Sequence, residues 1–475
     1  MRRTLVLGTA ILSALTTRSV GAQTAAPESF VARDIALDIA IDYPNQRLSG
    51  SITYDLENWT PQPARQVSFL LNRLMEASSV RAASGASLAH TQDVVRFVDD
   101  PMRQVNQLRV TLPRPIASGG HTTLRIDYAG NLVGYTEIGW LYVKDHIDTA
   151  FTIIRNDALA FPMVGGIVDK ANRKRPFSQF VYHVSVRVPA KYRVAIGGKA
   201  TRLPHDDGTV TWHYESGKPA RVMNVSIAPF DTLGENGVRV FYFPDDGLGA
   251  RRVMASTQAA LRTLTSWFGP AHDPLNVTIT EIPNGWGSQA GLIEGIIQSA
   301  AAFRDPERMG ELYHELSHIW NANATDLPSP RWEEGQAMFL EGLLREQLDR
   351  WTGRQKSETQ TLTRVKNRIN SDSSLQRVPL ADYGKQRMTD WSYSVGELMF
   401  ATLYNLVGQK EFNRILGGYY QRYANAGTTR NFVDLAKQTS SRDLTAFFDD
   451  WMFTSRWTDL LRNATSVADL EQHYR

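Results

Sequence analysis

The 475-residue sequence contains no cysteine. This excludes a disulfide scaffold, a thiolate-held metal, a cysteine nucleophile and a lipid-carrying cysteine behind a leader. Net charge is also scarce. The formal value is +3, from 52 basic and 49 acidic side chains. Three of the basic residues, Arg2, Arg3 and Arg18, lie in the first 22 positions, and without them 49 stand against 49. No basic excess remains to recognise nucleic acid or an anionic membrane, so neither is expected as a partner. Long apolar runs are missing too. Beyond the N-terminus no stretch reaches the length of a membrane span, so no stable insertion is expected. Internal repeats and low-complexity linkers are absent.

The N-terminus reads MRRTLVLGTAILSALTTRSVGAQ. Two arginines precede an apolar run from Leu5 to Leu15, and small residues follow at Val20, Gly21 and Ala22. This predicts a secretory signal over residues 1–22, with export to the periplasm or beyond the cell. The run is short for a span, which disfavours an uncleaved anchor. The whole sequence is 42% hydrophobic and 21% charged, a balance that suits two or three globular domains.

From residue 28 to 243 the apolar pattern has period two. Ile35, Leu37, Ile39 and Ile41 share one strand face, and Leu48, Ile52, Tyr54 and Leu56 alternate after the turn residues Tyr43–Gln46. Val184, Val186 and Val188 repeat the pattern. Half-buried strands at this density predict an all-β sandwich or saddle. From 245 to 475 the period changes. Two short strands, in NVTITEIP and GLIEGIIQSA, precede a series of helical stretches. The fold class is α+β multidomain, β first and mostly helical afterwards.

The chemistry is concentrated in ELYHELSHIWNANATDLPSPRWEEGQAMFLEGLL, from Glu311 to Leu344. Asp305-Pro306 is a good helix start, and the helix is predicted to continue through Trp320. His314 and His318 then lie one above the other, at i and i+4. Two imidazoles so placed reach one zinc ion, and Glu315 beside them stands where a general base for a metal-activated water belongs. A catalytic zinc needs a third protein ligand. With cysteine absent, a returning helix that begins at Arg331 offers Glu333 or Glu334.

These segments resemble the gluzincin metallopeptidases of the M1 aminopeptidase family. HELSHIW resembles the family's zinc helix, and EEGQAMFLE its third-ligand helix. That register makes Glu334, followed by Gly335 and Ala337, the ligand beside His314 and His318. The resemblance implies Zn²⁺ as cofactor, a thermolysin-like catalytic domain over 245–475, a saddle domain over 28–243 and a peptide substrate. Tyr393 in YSVG resembles the family's oxyanion-binding tyrosine, a donor to charge that develops in the transition state. Glu294 in GLIEG resembles the glutamate that grips a substrate's free amine. The chain also departs from the pattern. Fifteen residues separate His318 from Glu334, fewer than the family has. The segment AFTIIRNDALAFPMVGG offers no clear counterpart of the family's second amine-gripping residue. The expected function is an exported zinc peptidase that removes N-terminal residues. The alternatives are an endopeptidase on the same scaffold, or a binding protein that kept the fold without catalysis.

Overall fold

The computed structural model describes residues 28–97, 100, 102–134, 144–167, 176, 178–273, 275–291, 295–322, 324–372 and 377–475. The expected leader over 1–22 lies outside them.

The alternating residues of the first half build a sandwich. Its seven-stranded sheet has Phe30–Asp42 near the centre, antiparallel to Arg47–Asn58 and parallel to Val181–Pro189. His121–Asn131 and Met75–Ala82 extend one side, and Thr209–Glu215 and Lys199–Pro204 the other. Ile35, Leu37, Ile39, Leu48, Ile52, Tyr54, Leu56, Val184, Val186 and Val188 are all buried, and Ile41 is only partly so. A four-stranded sheet, His90–Arg96, Gln104–Ile116, Ala64–Leu71 and Met163–Val164, covers this face. Tyr54 and Phe69 meet between the sheets with ring centroids 5.4 Å apart.

The second half is built on a four-stranded sheet: Asp231–Glu235, Val238–Tyr242, Val277–Ile282 and Ile296–Ser299. The first two strands form a hairpin at Asn236-Gly237, both at positive φ, as a tight two-residue turn requires. This sheet therefore reaches back across the expected division at residues 243 and 245. Helix α1 (Gly247–Phe268) buries Val253, Ala260, Leu261, Leu264 and Phe268, one stripe at helical spacing. It is followed by α2 (Ala300–Arg304), α3 (Gly310–Ser317), α4 (Glu333–Asp349), α5 (Arg354–Ser371), α6 (Trp391–Tyr423) and α7 (Thr429–Thr439). Within α6, Gly408 has φ 74°, so the segment is two helices joined at a break. Among the described residues no helix is long and apolar enough to cross a membrane.

The halves meet around Phe151, Ile153, Phe230, Phe241, Ile282 and Trp286. A fully buried ion pair, Arg155 with Asp145 at 2.9 Å, lies beside this cluster, and both terminal guanidinium nitrogens donate to the Trp286 carbonyl at 3.3 Å.

Candidate active site

The predicted single helix from Pro306 to Trp320 is three pieces. Asp305 caps a tight 3-10 turn, Pro306–Arg308, accepting from the Glu307 amide at 2.9 Å. Helix α3 follows, and a second 3-10 turn spans His318–Trp320. Asn321 is extended, with ψ 139°, which ends the helix there. His318 keeps right-handed helical angles, so its i, i+4 relation to His314 survives.

His314 Nε2 and His318 Nε2 lie 3.2 Å apart. Glu334 Oε2, from the first turn of α4, is 3.5 Å from the first and 3.4 Å from the second. Donors held at about 2.0–2.1 Å around a tetrahedral ion are about 3.3–3.4 Å from one another. The triangle therefore has the edge lengths of one zinc ion's ligand set. It is the one group of this kind among the described residues. Glu333 does not belong to it. Burial pushes the Glu333 carboxyl up to about 7, with Glu334 and Asp326 adding to the rise. The sequence choice between the two glutamates thus falls on Glu334. Burial opposes its ionisation, yet His314, His318 and Arg331 together hold it well below the usual carboxylate range.

Glu315 is buried beside the triangle. Burial raises its carboxyl to about 7, with Glu334 and Glu311 adding to the rise, while His314 and the Ala290 amide oppose it. The Tyr393 ring lies parallel to the His314 ring, 9° from coplanar with centroids 6.1 Å apart. Burial raises the phenol's pKa, Glu334 adds to that, and Arg331 opposes it. Two glycines bring these parts together. A Cβ on Gly335 would lie 2.3 Å from Gly396 Cα, so α4 and α6 touch backbone to backbone one residue after Glu334 and three after Tyr393. Behind the site, the Asn321 amide is 2.7 Å from His318 Nδ1, and Gln336 donates to Asn321 Oδ1 at 3.3 Å. Such contacts orient a ligating imidazole.

Glu294 lies outside the described residues. Gly291 and Gly295, on either side of it, are joined by a hydrogen bond of 2.9 Å, and the strand Ile296–Ser299 follows at the sheet edge. Sequence reasoning missed Arg331. One of its terminal nitrogens donates to Glu334 Oε1 and, at 3.0 Å, to the Tyr393 hydroxyl. An opposite charge three residues before Glu334 was the available signal.

Two histidines and a glutamate on adjoining helices, with a further carboxyl group alongside, are the donor set of a zinc hydrolase. Residues 299–451, which hold the whole triangle and Tyr393, match the family model described as Peptidase family M1 domain. The cofactor this family implies is zinc, and the donors present fit it. No curated protein matches the sequence. Solved structures of similar fold include an M1 zinc metallopeptidase from Deinococcus radiodurans, 18% identical with a TM-score of 0.65 over 89% of this chain and 94% of that one. A mutant of it bound to a Tyr-Ser-Ala substrate is 19% identical, with the same TM-score and coverage. A two-domain M1 zinc metallopeptidase mutant bound to L-arginine is 18% identical, with a TM-score of 0.63 over 92% and 95%.

Proposed function

We propose that this protein is an exported zinc peptidase that removes N-terminal residues from peptides. The observation that carries the reading is the ligand triangle, with Glu315 buried next to His314 and the Tyr393 ring stacked on the His314 ring. His314, His318 and Glu334 would hold the metal. Zinc bound there supplies a Lewis acid that polarises the scissile carbonyl and acidifies water. Glu315 takes a proton from the attacking water and passes it to the leaving amine. Tyr393 donates its hydroxyl to the oxyanion of the tetrahedral intermediate. Export rests on the leader-like residues 1–22.

The Glu315→Gln variant tests the chemistry. It should keep its zinc and lose about 10²–10⁴ in kcat, the usual weight of a general base. Turnover equal to wild type would mean that Glu315 is not the base.

The preference for a free N-terminus rests on Glu294 as the amine's anchor. Acetylating the amine of an aminoacyl amide should therefore abolish its cleavage. One observation favours the endopeptidase reading. Phe151, Ile153 and Ile154 are buried, and the Thr152 hydroxyl is occupied by the Asp148 backbone, so this stretch offers nothing polar to a second amine contact. Equal cleavage of the acetylated and free substrates would select that reading. Absence of turnover on both would select a binding protein.

A further inference from the structure

Arg331 has a left-handed backbone, φ 56°, a conformation strained for any residue but glycine. The chain on either side is fixed. The Arg331 amide donates to Ser329 Oγ at 3.2 Å. Trp332 is buried, stacks on Phe432 at 4.7 Å, and donates its indole N–H to Thr429 Oγ1 at 3.0 Å. Asp326 accepts from the Thr429 amide and hydroxyl, both at 2.7 Å. The strained residue is thus clamped so that its guanidinium reaches the metal triangle. One nitrogen, Nη2, donates to Glu334 Oε1 and to the Tyr393 oxygen.

That arrangement bears on a competition. Glu334 Oε1 and the Tyr393 oxygen share one nitrogen of Arg331, so carboxylate and phenol are neighbours. A phenol that gives its hydrogen to Glu334 has none for a substrate. The guanidinium satisfies the carboxylate oxygen turned away from the imidazoles, and it also occupies a lone pair of the phenol. An oxygen accepting from Arg331 still has its own hydrogen to donate.

We propose that Arg331 is a positioning residue that acts through Tyr393, keeping the phenolic hydrogen available for the substrate oxyanion. This rests on the peptidase reading above. Arg331→Met keeps the side chain's length and removes its donors. It should lower kcat about 10–100-fold, somewhat less than the loss of an oxyanion donor itself. KM should stay within about twofold, because the contact matters only in the transition state. Zinc should stay at one per chain, and a phosphinic dipeptide, which mimics the tetrahedral anion, should bind more weakly by calorimetry. Arg331→Lys, which restores a cationic donor, should recover part of the loss. The decisive comparison is the cycle with Tyr393→Phe: the double variant should be no slower than Tyr393→Phe alone.

Three outcomes would overturn the proposal. Losses that multiply in the double variant would mean direct contact with substrate. Loss of zinc from Arg331→Met would mean that the arginine acts on Glu334 as a ligand. Wild-type kcat in Arg331→Met would mean that it does nothing for the phenol. If the wild-type protein cleaves no peptide at all, the peptidase reading fails and takes this inference with it.

Discussion

At the scale of single residues the molecule places carboxyl groups where water cannot reach them. Glu281 is fully buried in the sheet strand Val277–Ile282. Burial raises its carboxyl from the ordinary 4.5 to about 8, and the neighbouring Asp246 adds to the rise. The Phe243 amide, donating to it at 2.8 Å, opposes the shift. A group that keeps its proton to about pH 8 when folded, and loses it near 4.5 when unfolded, binds more protons in the native state across that window. Its stabilising contribution is complete below the lower value and is lost as pH rises through the upper one. Urea unfolding between pH 5 and 8 should therefore show stability falling with pH. Glu281→Gln, which keeps an acceptor for Phe243, should flatten that part of the curve. An unchanged slope in the variant would assign the dependence to another group.

At the scale of elements, the contact that positions the site is Gly335 against Gly396. Helices α4 and α6 have no side chain between them there, which lets Glu334 and Tyr393 serve one centre. Gly335→Ala inserts a methyl group where the facing Cα is 2.3 Å away. Overpacking of this kind costs about 1–3 kcal/mol. A displacement of about 1 Å between the two groups lowers catalysis on the order of 10²-fold. The variant should melt at a lower temperature and lose kcat while His314 and His318 remain in place; an alanine as active and stable as wild type would show that the helices are not locked by this contact.

The sequence carried much of this scale. The H-E-x-x-H spacing named three side chains on α3 and its following turn, because a helix fixes i and i+4 without tertiary help. Period-two patterning found the buried strand faces for the same reason. What it did not carry is tertiary. Nothing local announced that α3 would be bounded by 3-10 turns, that Val238–Tyr242 would pair with Val277–Ile282, or that Asn321 and Gln336 would back His318. Choosing Glu334 over Glu333 took a family register or the structure, since adjacent residues differ only in the side of the helix they face.

At the scale of the whole molecule, the two halves are joined by an apolar cluster and a buried charge pair. Asp145 and Arg155 are both fully buried, and the guanidinium also holds the Trp286 carbonyl, in the loop that leads towards Ala290 and Glu315. Burial raises the Asp145 carboxyl to about 6 against the pull of Arg155. Removing one partner leaves the other charged and unpaired, at a cost of about 3–5 kcal/mol. Arg155→Met should destabilise by that order in urea unfolding, and adding Asp145→Asn should return part of the loss. If Arg155→Met matches wild type, the pair does not hold the halves together.

Every reading of the site depends on one metal ion shared by His314, His318 and Glu334. The most direct test is zinc content, measured by atomic emission after dialysis from zinc-containing buffer. The wild-type chain should carry one zinc per molecule, and Glu334→Ala should carry far less under the same dialysis. A wild-type chain without zinc, or a Glu334→Ala chain that keeps a full equivalent, would mean that these three residues do not hold the metal.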